Sequence, residues 1–337
     1  MTTSKIDPIK MILNCIFFSP KCGVIISWKS GQNKRGREIS MKKQMYQPYA
    51  LATVFCWALA FVFTRMTLSY FSAASLGFLR YMTASAALIV IAIVTKMKPP
   101  KLADLPLFFV IGFFGFFLYM IVFNKGLSSV PAATASVVNA TVPVVTALIA
   151  GVVYRERVQG FQWAAVAIEL IGVVVLAAMS GGLSQSGGLV WLLFAALSLS
   201  TYNILQRKLT KKYTAMQAST YSIFAGTLML AVFSPTAFRE LSAAPAIQYV
   251  YVLLLGVFPS AIAYVSWSVA FSKAERTSQV SNYTVLTLFF TSLLGIVILH
   301  ETPNAATLVG GGITLAGVLL FNYGAAWFEK CHAAKHP

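Results

Sequence analysis

Acidic side chains are scarce: nine Asp and Glu stand against 26 Lys and Arg in 337 residues, and all charged residues together make up only 10%. A soluble domain carries roughly 25% charged residues, so this chain cannot cover its own surface with charge, which excludes a soluble globular protein. Histidine is nearly absent, with three in all, two of them (His332 and His336) in the C-terminal tail. Cysteine is little better represented. Cys15, Cys22, Cys56 and Cys331 are scattered, with no zinc spacing and no disulfide framework. Nucleotide-binding GxxxxGK[ST], metalloprotease HExxH and a nucleophile elbow are all missing, so hydrolytic and metal chemistry have little to build on.

What fills the chain is apolar: 58% hydrophobic residues and a mean hydropathy of +0.75. The net charge of +17 would point to nucleic acid in a soluble protein. Here the cations lie between apolar segments, so a lipid bilayer is the expected partner and nucleic acid is not. Ten segments are long enough to cross a bilayer, at about 48–69, 73–95, 105–125, 131–154, 160–180, 187–207, 214–235, 246–270, 278–299 and 304–327. Breaks fall at Lys98 to Lys101, Arg155 to Arg157, Gly181-Gly182, Lys211-Lys212 and Ala244-Pro245. Residues 1–46 form a basic tail whose one apolar run, Met11 to Phe18, is too short to span and precedes no cleavage site. Met41-Lys42-Lys43 is an alternative start; a tryptic peptide from residues 1–40 of the native protein would disprove it.

Orientation follows from the loops. With the N-terminus inside, fifteen Lys and Arg after residue 40 fall on the cytoplasmic side, against Arg239 and the helix-end Lys125 outside. That bias predicts cytoplasmic termini, with residues 329–337 as a short tail.

Span 4 and its closing turn, Pro131 to Glu156, recur as Thr277 to Glu301. Counted back from the two glutamates, Thr146 falls on Thr291, Leu148 on Leu293 and Val152 on Val297. Trp57 to Arg65 of span 1 likewise matches Leu199 to Arg207 of span 6; Tyr119 to Gly126 resembles Tyr264 to Ala270; and Glu169 to Gly172 lies over Thr314 to Gly317. The repeats, 47–180 and 181–328, hold five spans each. Because five is odd, the second must lie upside down relative to the first. The expected fold is all-α and polytopic, ten transmembrane helices as two inverted five-helix repeats, an architecture of secondary transporters.

Trp57, Phe78-Leu79-Arg80, Ala133 to Ser136 leading into Pro143, the closing Glu156 and Glu301, and Ala263-Tyr264 with Trp267 and Ala270 together resemble a drug/metabolite transporter of the EamA type. The likeness covers about residues 47–328. Two departures concern hinge geometry: Ala58 stands where the family usually has glycine, and Leu288 where it has a second proline. The resemblance implies a bacterial inner-membrane permease for small metabolites, often an efflux carrier, with no cofactor and no enzymatic activity. Its cavity would be lined mainly by spans 1, 3, 4, 6, 8 and 9.

Polar groups in hydrocarbon each need a reason. Glu169 is the one acid at mid-span, a proton-coupling candidate or, on the blander reading, a neutral hydrogen-bonded acid joining helices. Arg80 could bind a carboxylate or pair with Glu169; since the family uses arginine here whatever the substrate, a structural role is favoured. Lys125 can reach the outer interface and is a gate candidate. Pro143 removes a backbone donor and frees the Asn139 carbonyl, so Asn139 and Thr141 are placed at the site, with Gln279 and Asn282 as their counterparts in span 9. Gly115, Pro143, Gly256 and Pro259 are candidate hinges. Trp57, Tyr119, Tyr202, Tyr264 and Trp267 are candidate cavity aromatics. Glu156 and Glu301 are expected to cap the helices that follow them.

The expected function is alternating-access transport of a small amphipathic metabolite, with export of amino acids or their derivatives the leading guess from the resemblance. Proton coupling and a homodimer stay open. A nucleotide-sugar or lipid-linked-sugar carrier would want more cavity cations than Arg80 and Lys125. A non-transporting scaffold or sensor would have no need of inverted symmetry.

Overall fold

In the computed structural model the described residues are 46–154, 160–179, 183–273, 280 and 282–335. The N-terminal tail, Glu156 with Arg155 and Arg157, the Gly181-Gly182 break and Gln279 lie outside them, as do the side chains of Arg207 and Asn282. All regular structure among the described residues is helical. The protein is an all-α, polytopic membrane protein. Seven helical stretches are long and apolar enough to cross a bilayer, and three shorter apolar helices, Gly160–Leu176, Leu286–Leu299 and Ala305–Phe321, fall in the remaining expected spans.

Span 1 is Gln47–Thr67, with Pro48 in its first turn, where no N–H is needed. Span 2 is Ala73–Val94, N-capped by the Ser72 side chain. Spans 3, 4 and 8 are not continuous α-helices. Span 3 runs Leu105–Gly112, a π-helical Phe113–Leu118, then Tyr119–Leu127. Span 8 repeats this as Ala246–Gly256, a π-helical Val257–Ile262 and Ala263–Lys273. Span 4 is cut into Ala132–Asn139 and Val142–Tyr154 just before Pro143. Its counterpart in span 9 changes form at the equivalent place without a proline: a 3-10 turn, Asn282–Thr284, leads into the helix Val285–Leu294, which contains Leu288, and a π turn, Gly295–Leu299, follows.

Two boundaries differ from the sequence expectation. Span 7, expected to end near residue 235, is Ala215–Leu230, a short 3-10 turn and a further helix Ser234–Ala243. Pro235 sits in the first turn of that further helix, where its missing N–H starts a helix instead of breaking one. The last helix runs Ala305–Lys335, so the expected short tail continues span 10.

The packing obeys the repeat. Span 1 lies on spans 8 and 9 as span 6 lies on spans 3 and 4; span 2 packs on span 7, and span 5 on span 10. Exchanging the halves exchanges these contacts for one another. At residue level, a Cβ on Gly172 would overlap Thr314, and a Cβ on Gly317 would overlap Glu169, at 2.5 Å from its Cγ. Gly172 and Gly317 are repeat mates, as are Glu169 and Thr314, so one contact is the other turned over. Inversion is visible at the ends. The Ser72 N–H, between spans 1 and 2, donates to Glu240, between spans 7 and 8 (3.0 Å). On the other face Lys212 and Tyr213, between spans 6 and 7, hold Asp104 at the start of span 3 (2.8 and 2.7 Å). The first loop of each repeat thus meets the second loop of the other, which only antiparallel repeats allow.

Candidate functional site

Backbone polar groups have no water to turn to in a bilayer, so each break in a span must be satisfied by protein. The π segments are served this way. Ser198 of span 6 donates to the Phe114 carbonyl of span 3 (2.7 Å). Ser260, itself in the span 8 π segment, donates to the Leu255 carbonyl (3.0 Å), and Thr53 of span 1 donates to the Ala263 carbonyl (3.2 Å). Each bond ties a break to a neighbour or to itself without closing the helix back to α. In span 4 the Ser200 hydroxyl donates to the Val142 carbonyl (3.2 Å).

Between the two π segments lies the polar and aromatic centre of the molecule. Arg80, 5% exposed on span 2, donates through Nε to Ser260 Oγ (2.8 Å). Its guanidinium carbon lies 5.8 Å from the centre of the Tyr81 ring. Phe116, in the π segment of span 3, is the hub: its ring meets those of Tyr81 (5.3 Å), Tyr202 (5.2 Å) and Tyr264 (5.6 Å), edge to face. Trp57 bridges Tyr264 (5.9 Å) and Trp267 (4.9 Å), and Tyr119 stacks on Phe123 (5.3 Å). Gly115 admits Tyr202: a Cβ there would lie 2.8 Å from the ring's Cγ, so the glycine lets the tyrosine reach across span 3.

Trp57, Arg80, Tyr119, Tyr202, Tyr264 and Trp267 therefore converge, from spans 1, 2, 3, 6 and 8. The pair proposed between Arg80 and Glu169 is not made. Arg80 faces Ser260, while Glu169 lies between spans 5 and 10 against Gly317, 3% exposed and with Oε1 unpartnered among the described residues. Asn139 and Thr141 flank the span 4 break; Thr141 is buried and turns its hydroxyl back on the Val138 carbonyl (2.7 Å), away from any described partner on another span. Lys125 is exposed, its Nζ 4.3 Å from the centre of the Trp191 ring of span 6. Gly115 and Pro259 lie within the π segments and Gly256 directly before one. Ser260, Phe116 and Tyr81 are the members that sequence reasoning passed over. The signal for Ser260 was its place after Pro259, where an interrupted helix needs a hydroxyl.

Glu301 corrects an expectation. It does not cap span 10, whose first turn is capped by the Asn304 side chain accepting from the Thr307 N–H (2.8 Å). Instead Glu301 reaches across to the Ala132 N–H at the start of span 4 (3.2 Å) and to Arg65 at the end of span 1 (3.2 Å).

Two antiparallel helical repeats, with broken spans on either side of a shared polar and aromatic centre, define a membrane carrier of the inverted-repeat class. The chain belongs to the EamA-like transporter family, whose family model matches residues 45–178 and 186–323, one match per repeat. It is 32% identical over 268 residues to the uncharacterized transporter YdfC of Bacillus subtilis, covering 78% of this chain and 86% of that one. It is 33% identical over 272 residues to a probable terminal-alkyne amino-acid exporter of Streptantibioticus cattleyicolor, covering 80% and 91%. A more distant relative, 24% identical over 65% of this chain and 72% of its own, is an S-adenosylmethionine uptake transporter of Rickettsia prowazekii. A crystal structure with a TM-score of 0.58 and 18% identity covers 82% of this chain and 96% of its own, a likeness of fold alone.

Proposed function

We propose that the protein is a secondary transporter that exports small amphipathic metabolites, amino acids or their derivatives foremost, across a bacterial inner membrane by alternating access. The observation that carries this is the position of Arg80. A buried cation beside Tyr81, whose ring joins a cluster running through Phe116 and Tyr264 to Trp57, lies where the two inverted repeats meet, between the interrupted spans 3 and 8. Rocking one repeat against the other would expose that centre to one face and then the other, with the π segments as bending points. Aromatic faces suit an apolar side chain or an ammonium. The similarity to a probable amino-acid exporter supports the substrate class. One guanidinium is a poor match for the diphosphate of a nucleotide sugar, so that reading falls behind.

Metabolite profiling of medium and cytosol from deletion and overexpression strains, followed by proteoliposome flux of each hit, tests this. Purified protein that moves no solute under any gradient would overturn it. Cytoplasmic termini rest on the loop cations; a reporter fused after Gly182 is expected outside and one after Lys212 inside.

A further inference from the structure

Arg80 is a permanent cation, 5% exposed, in the middle of a bilayer protein. Among the described residues no carboxylate lies in ion-pair range of it, and its one side-chain hydrogen bond is from Nε to the neutral Ser260 hydroxyl. Both terminal amino groups of the fork are left without a described acceptor. Burying a charge with no counter-charge costs several kcal/mol unless something ionic or strongly polar joins it. Glu169, the one other mid-span ion, is committed to the interface of spans 5 and 10. Beside the arginine lies Tyr81, fully buried, its ring centre 5.8 Å from the guanidinium carbon.

The donor set is thus a planar fork with two amino groups that have no described acceptor, held through its third nitrogen by a serine and lying against the Tyr81 ring. Two parallel N–H donors in one plane fit the two oxygens of a carboxylate. From these groups we infer that Arg80, positioned by Ser260, is the subsite for the carboxylate of the transported solute. The inference rests on the transporter reading and makes it more specific. Ser260 has two tasks at once: it satisfies the Leu255 carbonyl, left without a donor because Pro259 has no N–H, and fixes the arginine by Nε. The break in span 8 and the recognition of the anion are therefore mechanically joined, so a bend in that span moves the arginine. A solute ammonium would lie over Trp57 or Tyr264, and an apolar side chain against Phe116.

The test is a binding comparison on the purified full chain in detergent. The standard amino acids and L-propargylglycine are titrated against tryptophan fluorescence, and each binder is compared with its methyl ester and its decarboxylated amine. At least one acid is expected to bind, with ester and amine weaker by about 30-fold or more, the scale of leaving a buried charge unpaired. Arg80→Gln is expected to bring the acid down to the ester's level while leaving the ester's own affinity unchanged. Arg80→Lys, which keeps the charge and loses the fork, should fall between. Ser260→Ala should weaken the acid by a few-fold and the ester not at all, which a merely structural serine would not do. If the ester binds as tightly as the acid, or if Arg80→Gln weakens both alike, the carboxylate subsite is wrong. If no acid binds, it is wrong too; proteoliposome flux of a solute without a carboxylate would then preserve the transporter reading by itself. Should Arg80→Gln fail to fold, the acid-to-ester ratio of the unaltered protein decides.

Discussion

Arg65 and Glu301, 236 residues apart, form an ion pair at 3.2 Å that joins four helix ends. Arg65 Nη1 donates to the Leu127 and Ser128 carbonyls (3.2 and 2.8 Å), the otherwise unpaired C-terminal acceptors of span 3. Glu301 Oε2 accepts the Ala132 N–H (3.2 Å) at the positive end of span 4. The last residue before Glu301, His300, takes a left-handed φ of 54°, which turns the chain so that the carboxylate points back across the bundle. Arg65 belongs to the first repeat and Glu301 to the second, so a motion of one repeat against the other must strain or break this pair.

That placement predicts a latch. With the native cysteines replaced, Arg65→Cys/Glu301→Cys joined by a bis-methanethiosulfonate should arrest proteoliposome flux, and reduction should restore it. Flux that continues through the cross-linked protein would mean this face never opens. As a half-exposed pair it contributes only about 0.2–1 kcal/mol to stability, so Glu301→Gln should change transport far more than melting temperature.

Spans 5 and 10 answer to a different demand, close backbone approach without ligand contact. Gly172, Gly310, Gly317 and Gly324 all sit where a Cβ would meet the facing helix, the small-residue packing of membrane helices. Gly317→Leu or Gly172→Leu should lower stability by about 1–3 kcal/mol through overpacking, read as a fall in melting temperature in detergent. The acid-to-ester binding ratio should stay unchanged in whatever protein remains folded.

Glu169 faces that same interface, so it is expected to act as a packed polar group. Glu169→Gln, which keeps shape and hydrogen-bonding capacity, should retain flux and its dependence on any imposed gradient; Glu169→Lys should fail to accumulate. Loss of a proton-gradient dependence in Glu169→Gln, with solute exchange intact, would return the residue to a coupling role.

Much of this architecture was legible in the sequence because hydrocarbon imposes it. A segment long and apolar enough to cross reads the same in any protein, and the match of Glu169–Gly172 to Thr314–Gly317 foretold a contact that the fold makes twice over. The aromatic residues Trp57, Tyr119, Tyr202, Tyr264 and Trp267 were legible too, as large polar-tipped rings at mid-span. What was hidden depends on partners far apart in sequence. The π segments at Phe113–Leu118 and Val257–Ile262 have no local signature of their own; a glycine or a proline marks a weak point, and a serine from another span or a closing turn decides the form it takes. Glu301 misled for the same reason: an acid before a helix looks like that helix's cap, whereas the left-handed His300 sends it to another. For Asn139 and Thr141 the sequence shows polar side chains beside a proline break but not which groups they meet; the Thr141 hydroxyl turns back on the Val138 carbonyl.

The break before Pro143 carries a proline that its counterpart in span 9 lacks, which gives the last prediction. Span 4 loses its helical continuity at Ala140 and Thr141; span 9 changes from the 3-10 turn Asn282–Thr284 to the helix Val285–Leu294 at the equivalent place, with Leu288 in the first turn of that helix. Pro143→Ala restores a backbone donor four residues after Asn139, so the two halves of span 4 can join into one helix. If span 4 bends during the cycle, this substitution should raise the melting temperature, because the freed Asn139 carbonyl gains a partner, yet slow flux by several-fold with solute affinity little changed. If instead the break only accommodates the Ser200 bond to Val142, stability and flux should move together. Leu288→Pro tests the mirror case: it removes the N–H of the fourth residue of the helix Val285–Leu294 and should lower the melting temperature without adding flux.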